Sequence, residues 1–591
     1  MSPAVEGADR QQRWTAVRPA LIGGLAPVLL CAVLAAVSAQ LQGFEFGIDN
    51  NVFHIPIVLH WYDLPQFSND VVMQSLRRYA TPVFPILGLF ANDTNIAAVF
   101  HAAFLLTRGL AIFALFQVMR SCGLRNLYLA AATVSAIFVS ALYGESIIGR
   151  DELLVDIFTH TALAQAIALL GVAGLIRGRL IAAAIAGGLT FDLNAMVGLW
   201  YLAPFTLVCA SQLATAPRTS ARRIVRAVMA FSLVAFPVAI WIALSQNLGA
   251  PDFDYRAYLR DYYPYHFFIG WAEWSQRIVL ALQVASGFTA ASLLPRNRGN
   301  AVLVLLALML LFLAGITIGQ ISHSRALLNL HLLRVDGMLT WTIVPLVLTA
   351  SFAALANMRI LPAMGAIATI GGLIAGDWYI VLGGLLLLAA VRFLPIPTLP
   401  MPLLAERQRP ALLAIAAMVL ALVATTRGAY SARPAKPSSM MVPSDQQLAG
   451  AWPRSPEWRQ VTDWARDATA ADALFIIPLK LDFVAARRRD WVDWKEGAAA
   501  MWAPDIYAVW HTRTVDLAAL HSAPAILAYA CQHGIDYAVF DLRPGHALAG
   551  TGNLTRPIFV NRWFAAFPVR DCRRPASGHV PGLTPVSGSG R

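Results

Sequence analysis

Apolar residues run almost unbroken from residue 20 to residue 426, interrupted by short polar segments that mostly carry arginine. A membrane-crossing helix takes about 20 such residues. The runs place crossings at 21–39, 96–119, 126–143, 153–176, 179–191, 195–212, 224–244, 277–294, 300–320, 339–356, 359–375, 378–392 and 410–426. The pattern predicts a polytopic α-helical membrane protein with about 13 transmembrane helices. The count turns on two places: 179–212, broken at Phe191-Asp192-Leu193-Asn194, and the short pair within 359–392. Losing one crossing would reverse the side of everything that follows.

After Thr426 the pattern changes. Ser431–Pro443 is a Pro/Ser/Lys linker, followed by helical spacing over 458–469, a buried strand at 473–478, a helix at 524–533 and a strand at 537–541. Such alternation predicts a small α/β layer. The expected organisation is an N-terminal segment 1–18, a transmembrane domain 19–428 with outer loops 42–95, 245–276 and 322–338, a linker 429–451, an α/β domain 452–575, and a disordered Gly/Ser/Pro-rich tail 576–591.

Composition narrows the class. Of 591 residues, 58% are apolar and 13% charged, about half the charge of a soluble protein, which excludes a soluble multidomain enzyme. The net charge is +12, but its arginines fall in alternate loops: Arg120 and Arg125, Arg177 and Arg179, Arg218 to Arg226, Arg296 and Arg298, Arg359, and Arg392 to Arg409. Cytoplasmic loops carry this bias. The charge therefore anchors the chain, with no nucleic-acid partner expected, the N-terminus in the cytoplasm, and, after an odd number of crossings, the α/β domain outside. The Ala/Arg-rich composition suits a bacterial inner membrane, with a periplasmic or extracellular C-terminal domain. No cysteine spacing makes a zinc site. Cys31, Cys122 and Cys209 fall in or beside spans, whereas Cys531 and Cys572 either pair in an oxidising exterior or remain buried thiols.

Charges at the membrane edge are costly and invite a chemical question. Asp49, with Asn50 to His54, follows the first span closely; a carboxylate there serves as general base toward a hydroxyl or ligates a divalent cation, or else caps the helix that starts at Asn50. The second outer loop carries Arg150-Asp151-Glu152, able to share a metal with Asp49 or to complement the next helix dipole. Asp156 and His160 follow at one-turn spacing, and His101 and Arg108 share a face of the second span. Arg334 and His331, in an outer loop, offer donors to phosphate, unless Arg334 pairs with Asp336 or another acid. Tyr263 and His266 belong to a run of ten aromatic residues between Asp252 and Trp274, an interfacial belt or a sugar-stacking platform. Trp494 lies in the dense stretch Arg487-Arg488-Arg489-Asp490-Trp491-Val492-Asp493-Trp494-Lys495-Glu496, where tryptophan faces would meet an acceptor or dock the domain.

An acid soon after the first span, a second outer acidic pair, about 13 crossings and an outer α/β domain resemble the GT-C superfamily of polyprenyl-linked glycosyltransferases, which includes oligosaccharyltransferases, protein mannosyltransferases and aminoarabinose transferases. The resemblance implies a first-loop catalytic or metal-binding acid at Asp49, second-loop acids at Asp151 and Glu152, and an arginine near the lipid phosphate at Arg334. The candidate substrate contacts among these residues are His54, Tyr263, His266 and Trp494, and a divalent cation (Mg or Mn) is expected on Asp49 and Asp151. In that family the second acids are often Asp-x-Asp; here they are adjacent. The oligosaccharyltransferase signature Trp-Trp-Asp-Tyr-Gly is absent, which argues against sequon-directed N-glycosylation. The implied reaction is inverting transfer from a polyprenyl-phosphate-linked sugar to a glycan, lipid or protein acceptor. Two other classes fit parts of the sequence: a transporter or lipid flippase working through Asp192 and Asn194, and a non-catalytic membrane assembly subunit.

Overall fold

The computed structural model describes residues 26–124, 126–245, 252–357, 359–399, 456–479, 483–543, 548, 550–554 and 556–569. The predicted run 410–426, the linker, the N-terminal segment and the tail lie outside these residues.

A helix stands at each of the other predicted spans, but the expected count is not met. Among the described residues five helices are long and apolar enough to cross a membrane: Ile96–Ser121, Ala195–Thr215, Pro217–Ser245, Arg298–Ile321 and the run Arg325–Ala356. Six apolar helices are shorter, at Ala26–Gln42, Leu127–Ala136, His160–Ile176, Leu180–Leu193, Ile360–Ala375 and Trp378–Phe393. Two truncations explain part of the difference. The run at 126–143 stops as helix at Ala136, and 153–176 starts as helix only at His160, where Thr159 caps it by accepting from the Ala162 N–H at 3.1 Å. Leu153, Leu154 and Ile157 are apolar because they are buried in the bundle, not because they are helical. Asp156 therefore precedes that helix, and its carbonyl accepts from the Glu45 N–H at 2.7 Å. The expected Asp156–His160 helical face does not form.

Helix Val335–Ala356 is the centre of the bundle, buried along nearly its whole length. Its hydroxyls satisfy themselves locally: Thr342 donates to the Met338 carbonyl at 2.8 Å and Ser351 to the Val347 carbonyl at 2.9 Å. Pro217–Ser245 is the opposite case, leaving Val225, Met229, Leu233, Phe236 and Leu244 exposed, an apolar face suited to lipid. Loops expected on one side of the membrane meet one another. Asn297 donates to the Ser121 carbonyl at 2.8 Å and Asn300 to that of Leu175 at 3.2 Å, whereas the 42–95, 144–159 and 252–274 loops gather on Val335–Ala356 and the C-terminal region.

That region holds a mixed five-stranded sheet in the order β2-β1-β3-β5-β4: β1 (Leu474–Ile476), β2 (Arg489–Asp490), β3 (Tyr537–Asp541), β4 (Phe559–Val560) and β5 (Phe564–Pro568). The β1–β2 and β1–β3 pairs are parallel, and β3–β5 and β4–β5 antiparallel. Successive side chains leave opposite faces of a strand, so Phe475, Val539 and Ala566 pack under helix Pro456–Ala468 while Ile476, Ala538, Phe540 and Ala565 pack under Ala523–Gln532. Cys531 is in a disulfide; its expected partner, Cys572, lies outside the described residues.

Candidate active site

The loop 144–154 is a narrow hairpin, closed by the Leu153 N–H to Gly144 carbonyl bond at 3.0 Å and the Ser146 N–H to Asp151 carbonyl bond at 2.8 Å. Asp336, in the first turn of Val335–Ala356, holds its tip. One carboxylate oxygen accepts from the Ser146 hydroxyl at 2.6 Å; the other accepts from the N–H groups of Ile148 at 2.7 Å and Gly149 at 3.0 Å. The fit leaves no room for side chains at two glycines. A Cβ on Gly149 would lie 2.4 Å from the Leu333 carbonyl oxygen, and one on Gly337 2.3 Å from Asp151 Oδ2.

Asp151 is fully buried. Its Oδ1 accepts from Arg334 Nε at 3.0 Å and Nη2 at 2.8 Å, and its Oδ2 accepts from Gln165. Every hydrogen-bond partner is a donor, which favours the charged form, but burial, with Glu152 and Asp336 nearby, pushes the carboxyl up to about 8 against Arg334. Arg334 thus pairs with an acid other than its neighbour Asp336. Its Nε and Nη2 edge is engaged by Asp151, which uses two of the five N–H groups of a guanidinium.

Glu152 turns the other way. One oxygen accepts from the Asn50 amide at 3.1 Å and the other from the Thr159 hydroxyl. Burial raises its carboxyl above the ordinary range, against Arg334 and Thr159. Through Asn50 it reaches Asp49, whose backbone is left-handed, with φ 53°, a conformation aspartate adopts more readily than most residues. Asp49 does not cap the helix Asn51–Val58 with its side chain: the cap position is Asn50, without a side-chain hydrogen bond. Its carboxylate accepts from Lys495 of the C-terminal region, and its side chain is 51% exposed. Asp49 is the accessible acid of the group. Burial lowers the Lys495 ammonium and Asp49 beside it raises it; the raise wins.

Three histidines line the buried side. His54 is stacked on Phe84 at 4.2 Å and edge-on to His160 at 5.4 Å. Tyr79 and Asn194 approach His160 Nε2 at 3.3 Å each. His266 Nδ1 lies 2.8 Å from the Gly149 carbonyl, to which it donates. Burial holds both His54 and His266 well below the usual imidazole range, so both are neutral; His266 is hydrogen-bonded, whereas the buried His54 Nδ1 has no hydrogen-bond partner among the described residues.

Tyr263 and Trp494 belong elsewhere. Tyr263 is buried, 5.2 Å from the Trp494 ring, and its loop forms one apolar cluster with Val492, Ala500, Ile506 and Trp510. Tyr255, Tyr258, Tyr263 and Phe267 of the aromatic run form the seat of the C-terminal domain, whereas Trp271 and Trp274 at its end are exposed. Further ion pairs fasten that seat: Arg78 to Asp505 at 2.5 Å and Arg487 to Asp93 at 2.8 Å. His101 and Arg108 also have structural partners. His101 packs on Phe44 at 4.9 Å, and Arg108 donates to Ser38 at 3.0 Å, to Gln42 and to the Val155 carbonyl.

Asp49 and Asp151 each hold a cationic side chain, and among the described residues no three metal-ligating groups converge. Asn50, Tyr79 and Lys495 are site residues that sequence reasoning did not single out. Lysine is scarce, at 436, 480 and 495 only, and that scarcity is the signal that could have found Lys495.

No protein-family model matches the sequence, and no curated protein does. Among solved structures the fold is similar to that of ArnT from Cupriavidus metallidurans in the apo state, at 12% identity, covering 94% of this chain and 99% of that one, with TM-score 0.44. It is similar also to the same protein bound to undecaprenyl phosphate, at 14% identity, 94% and 100% coverage, and TM-score 0.35.

Proposed function

We propose that this chain is an integral membrane glycosyltransferase that moves a sugar from a polyprenyl-phosphate donor to an acceptor at the outer face of the membrane. The observation that carries the reading is the convergence of three segments far apart in sequence on one polar site: Asp49 with Asn50, Glu152 of the 144–154 hairpin, and Lys495. The site is built on a bundle of apolar helices, with an accessible acid at its rim and neutral histidines behind. In the reaction an acceptor hydroxyl attacks the anomeric carbon, and the bond from that carbon to the phosphate oxygen breaks. The hydroxyl proton passes to the Asp49 carboxylate, and polyprenyl phosphate leaves with the electron pair. Asn50 and Glu152 fix the segment that carries Asp49. No step is routed through a metal.

The test is reconstitution in liposomes with a panel of polyprenyl-phosphate sugars, reading release of polyprenyl phosphate. Asp49→Asn should lower release by about 100-fold or more, the usual contribution of a general base, at unchanged protein yield. Full release by Asp49→Asn, or no release by the wild type with any donor, would overturn the reading.

A further inference from the structure

The site holds three cations, and they are committed to different degrees. Arg334 gives two donors to Asp151 Oδ1, at 3.0 and 2.8 Å. Arg150 stands 4.0 Å from Glu145 with its guanidinium 5.1 Å from the Tyr265 ring centroid. Lys495 is a point charge on a flexible stem with three donors; the carboxylate it holds, Asp49, is half-exposed, as is the Glu145 that Arg150 faces.

The backbone behind Lys495 is fixed. Its N–H donates to Asp493 Oδ1 at 2.6 Å, the Asp493 carbonyl accepts from the Trp510 indole at 2.9 Å, and the Gly497 carbonyl accepts from the Tyr258 hydroxyl at 2.7 Å. Gly497 is seated against Trp510, where a Cβ would fall 2.1 Å from the ring. A fixed strap therefore presents an ammonium on a flexible stem to the rim of the site. In a chain with three lysines, one of them occupies the place where a compact charge can let go of a carboxylate and take an incoming anion.

Resting on the glycosyltransferase reading, we propose that Lys495 is the residue by which the C-terminal domain holds the donor: its ammonium exchanges Asp49 for a phosphate oxygen of the lipid-linked sugar. The exchange links two events. Donor phosphate takes the ammonium and thereby removes the Lys495 pairing from the Asp49 carboxylate that meets the acceptor hydroxyl.

The experiment is amine acylation of the full chain in nanodiscs, read by mass spectrometry at Lys495, with the peptides of Lys436 and Lys480 as internal references. Undecaprenyl phosphate should slow acylation of Lys495 by about 10-fold, the ratio that 1.4 kcal/mol of added interaction gives, and neutral undecaprenol should not. In parallel binding measurements the wild type should prefer undecaprenyl phosphate over undecaprenol; Lys495→Met should lose that preference and Lys495→Arg keep most of it. Asp49→Asn should tighten binding of the phosphate, and most of that gain should vanish in the Lys495→Met background, a coupling that a merely structural ion pair does not give. A wild-type preference retained in Lys495→Met overturns this proposal and leaves the glycosyltransferase reading standing. A wild type that does not distinguish the two lipids overturns both. Inorganic phosphate protecting Lys495 as well as the lipid does would assign the ammonium to free phosphate and overturn the donor role.

Discussion

Asp151 and Asp49 are the same residue type, each in a loop beside an apolar span, and the structure gives them different surroundings. Asp151 is inaccessible and held by three donors from two helices and their approach. Asp49 sits at the rim, half exposed, on a left-handed backbone, against the Lys495 ammonium. A carboxylate whose lone pairs are filled by protein donors is a pin; one reachable from outside can meet a substrate. Burial and partner type, not the presence of an acid at the membrane edge, separate the two.

Breaking the pin should give the largest effect. Asp336→Ala leaves the Ser146 hydroxyl and the N–H groups of Ile148 and Gly149 without their acceptor, a loss of about 3–5 kcal/mol for a buried ionic anchor. The expected outcome is a steep fall in melting temperature, read by fluorescence size-exclusion chromatography. An unchanged melting curve would show that the hairpin stands without its anchor. Next comes Asp151→Ala, which strands the Arg334 charge in the interior at a cost of about 3 kcal/mol. Adding Arg334→Met to that variant should restore part of the loss, because the uncompensated charge goes with it; a double variant worse than the single one would refute the pairing as the reason. At the rim, Asp49→Asn should move stability by no more than about 1 kcal/mol, the ordinary worth of a partly exposed pair. A melting temperature that falls as far as for Asp151→Ala would erase the contrast between the two acids.

Hydropathy locates the helices well because an apolar run of membrane length satisfies its backbone in lipid only as a helix. Tyr537–Asp541 is found where the alternation places it. What hydropathy misses, it misses for a reason: Leu153-Leu154-Val155 is apolar because the hairpin stem is tucked into the bundle, and burial in protein reads the same as burial in lipid. Asp49, Asp151, Glu152, His54 and His266 do gather, since an acid or histidine beside an apolar run must find polar company. Which acid takes which cation is not legible, because Lys495 lies 446 positions from Asp49 and no local spacing encodes that meeting. The aromatic run shows the same limit: its rings suit a lipid interface, a sugar or a protein surface alike, and only the Val492–Trp510 segment packed on it decides.

The smallest effect sharpens the comparison from the side of the strap. Asp493 carries Lys495 on its side chain and Trp510 on its carbonyl, and burial pushes its carboxyl up to about 6. Burial, then the neighbouring Asp70, Asp490 and Asp493, raises Glu496 in the same direction; burial and then Asp493 raise Asp490. Lys495 offsets part of this at Asp493, and Arg513 and Arg489 act on Asp70. A carboxyl raised on docking binds its proton more tightly in the docked form. Its contribution is therefore complete below the ordinary value of 3.8 and lost as pH rises through about 6. The strap should protect its backbone amides better at acid pH than at neutral pH by a few-fold in hydrogen exchange, after correction for intrinsic rates. Asp493→Asn should remove the part of that dependence centred near pH 6 and leave the part due to Glu496 and Asp490, while Asp151→Asn should leave it all in place because Asp151 belongs to the hairpin. A strap equally protected at both pH values, or one flattened by Asp151→Asn, would show that the seat of the C-terminal domain and the pin of the hairpin are one cooperative unit rather than two.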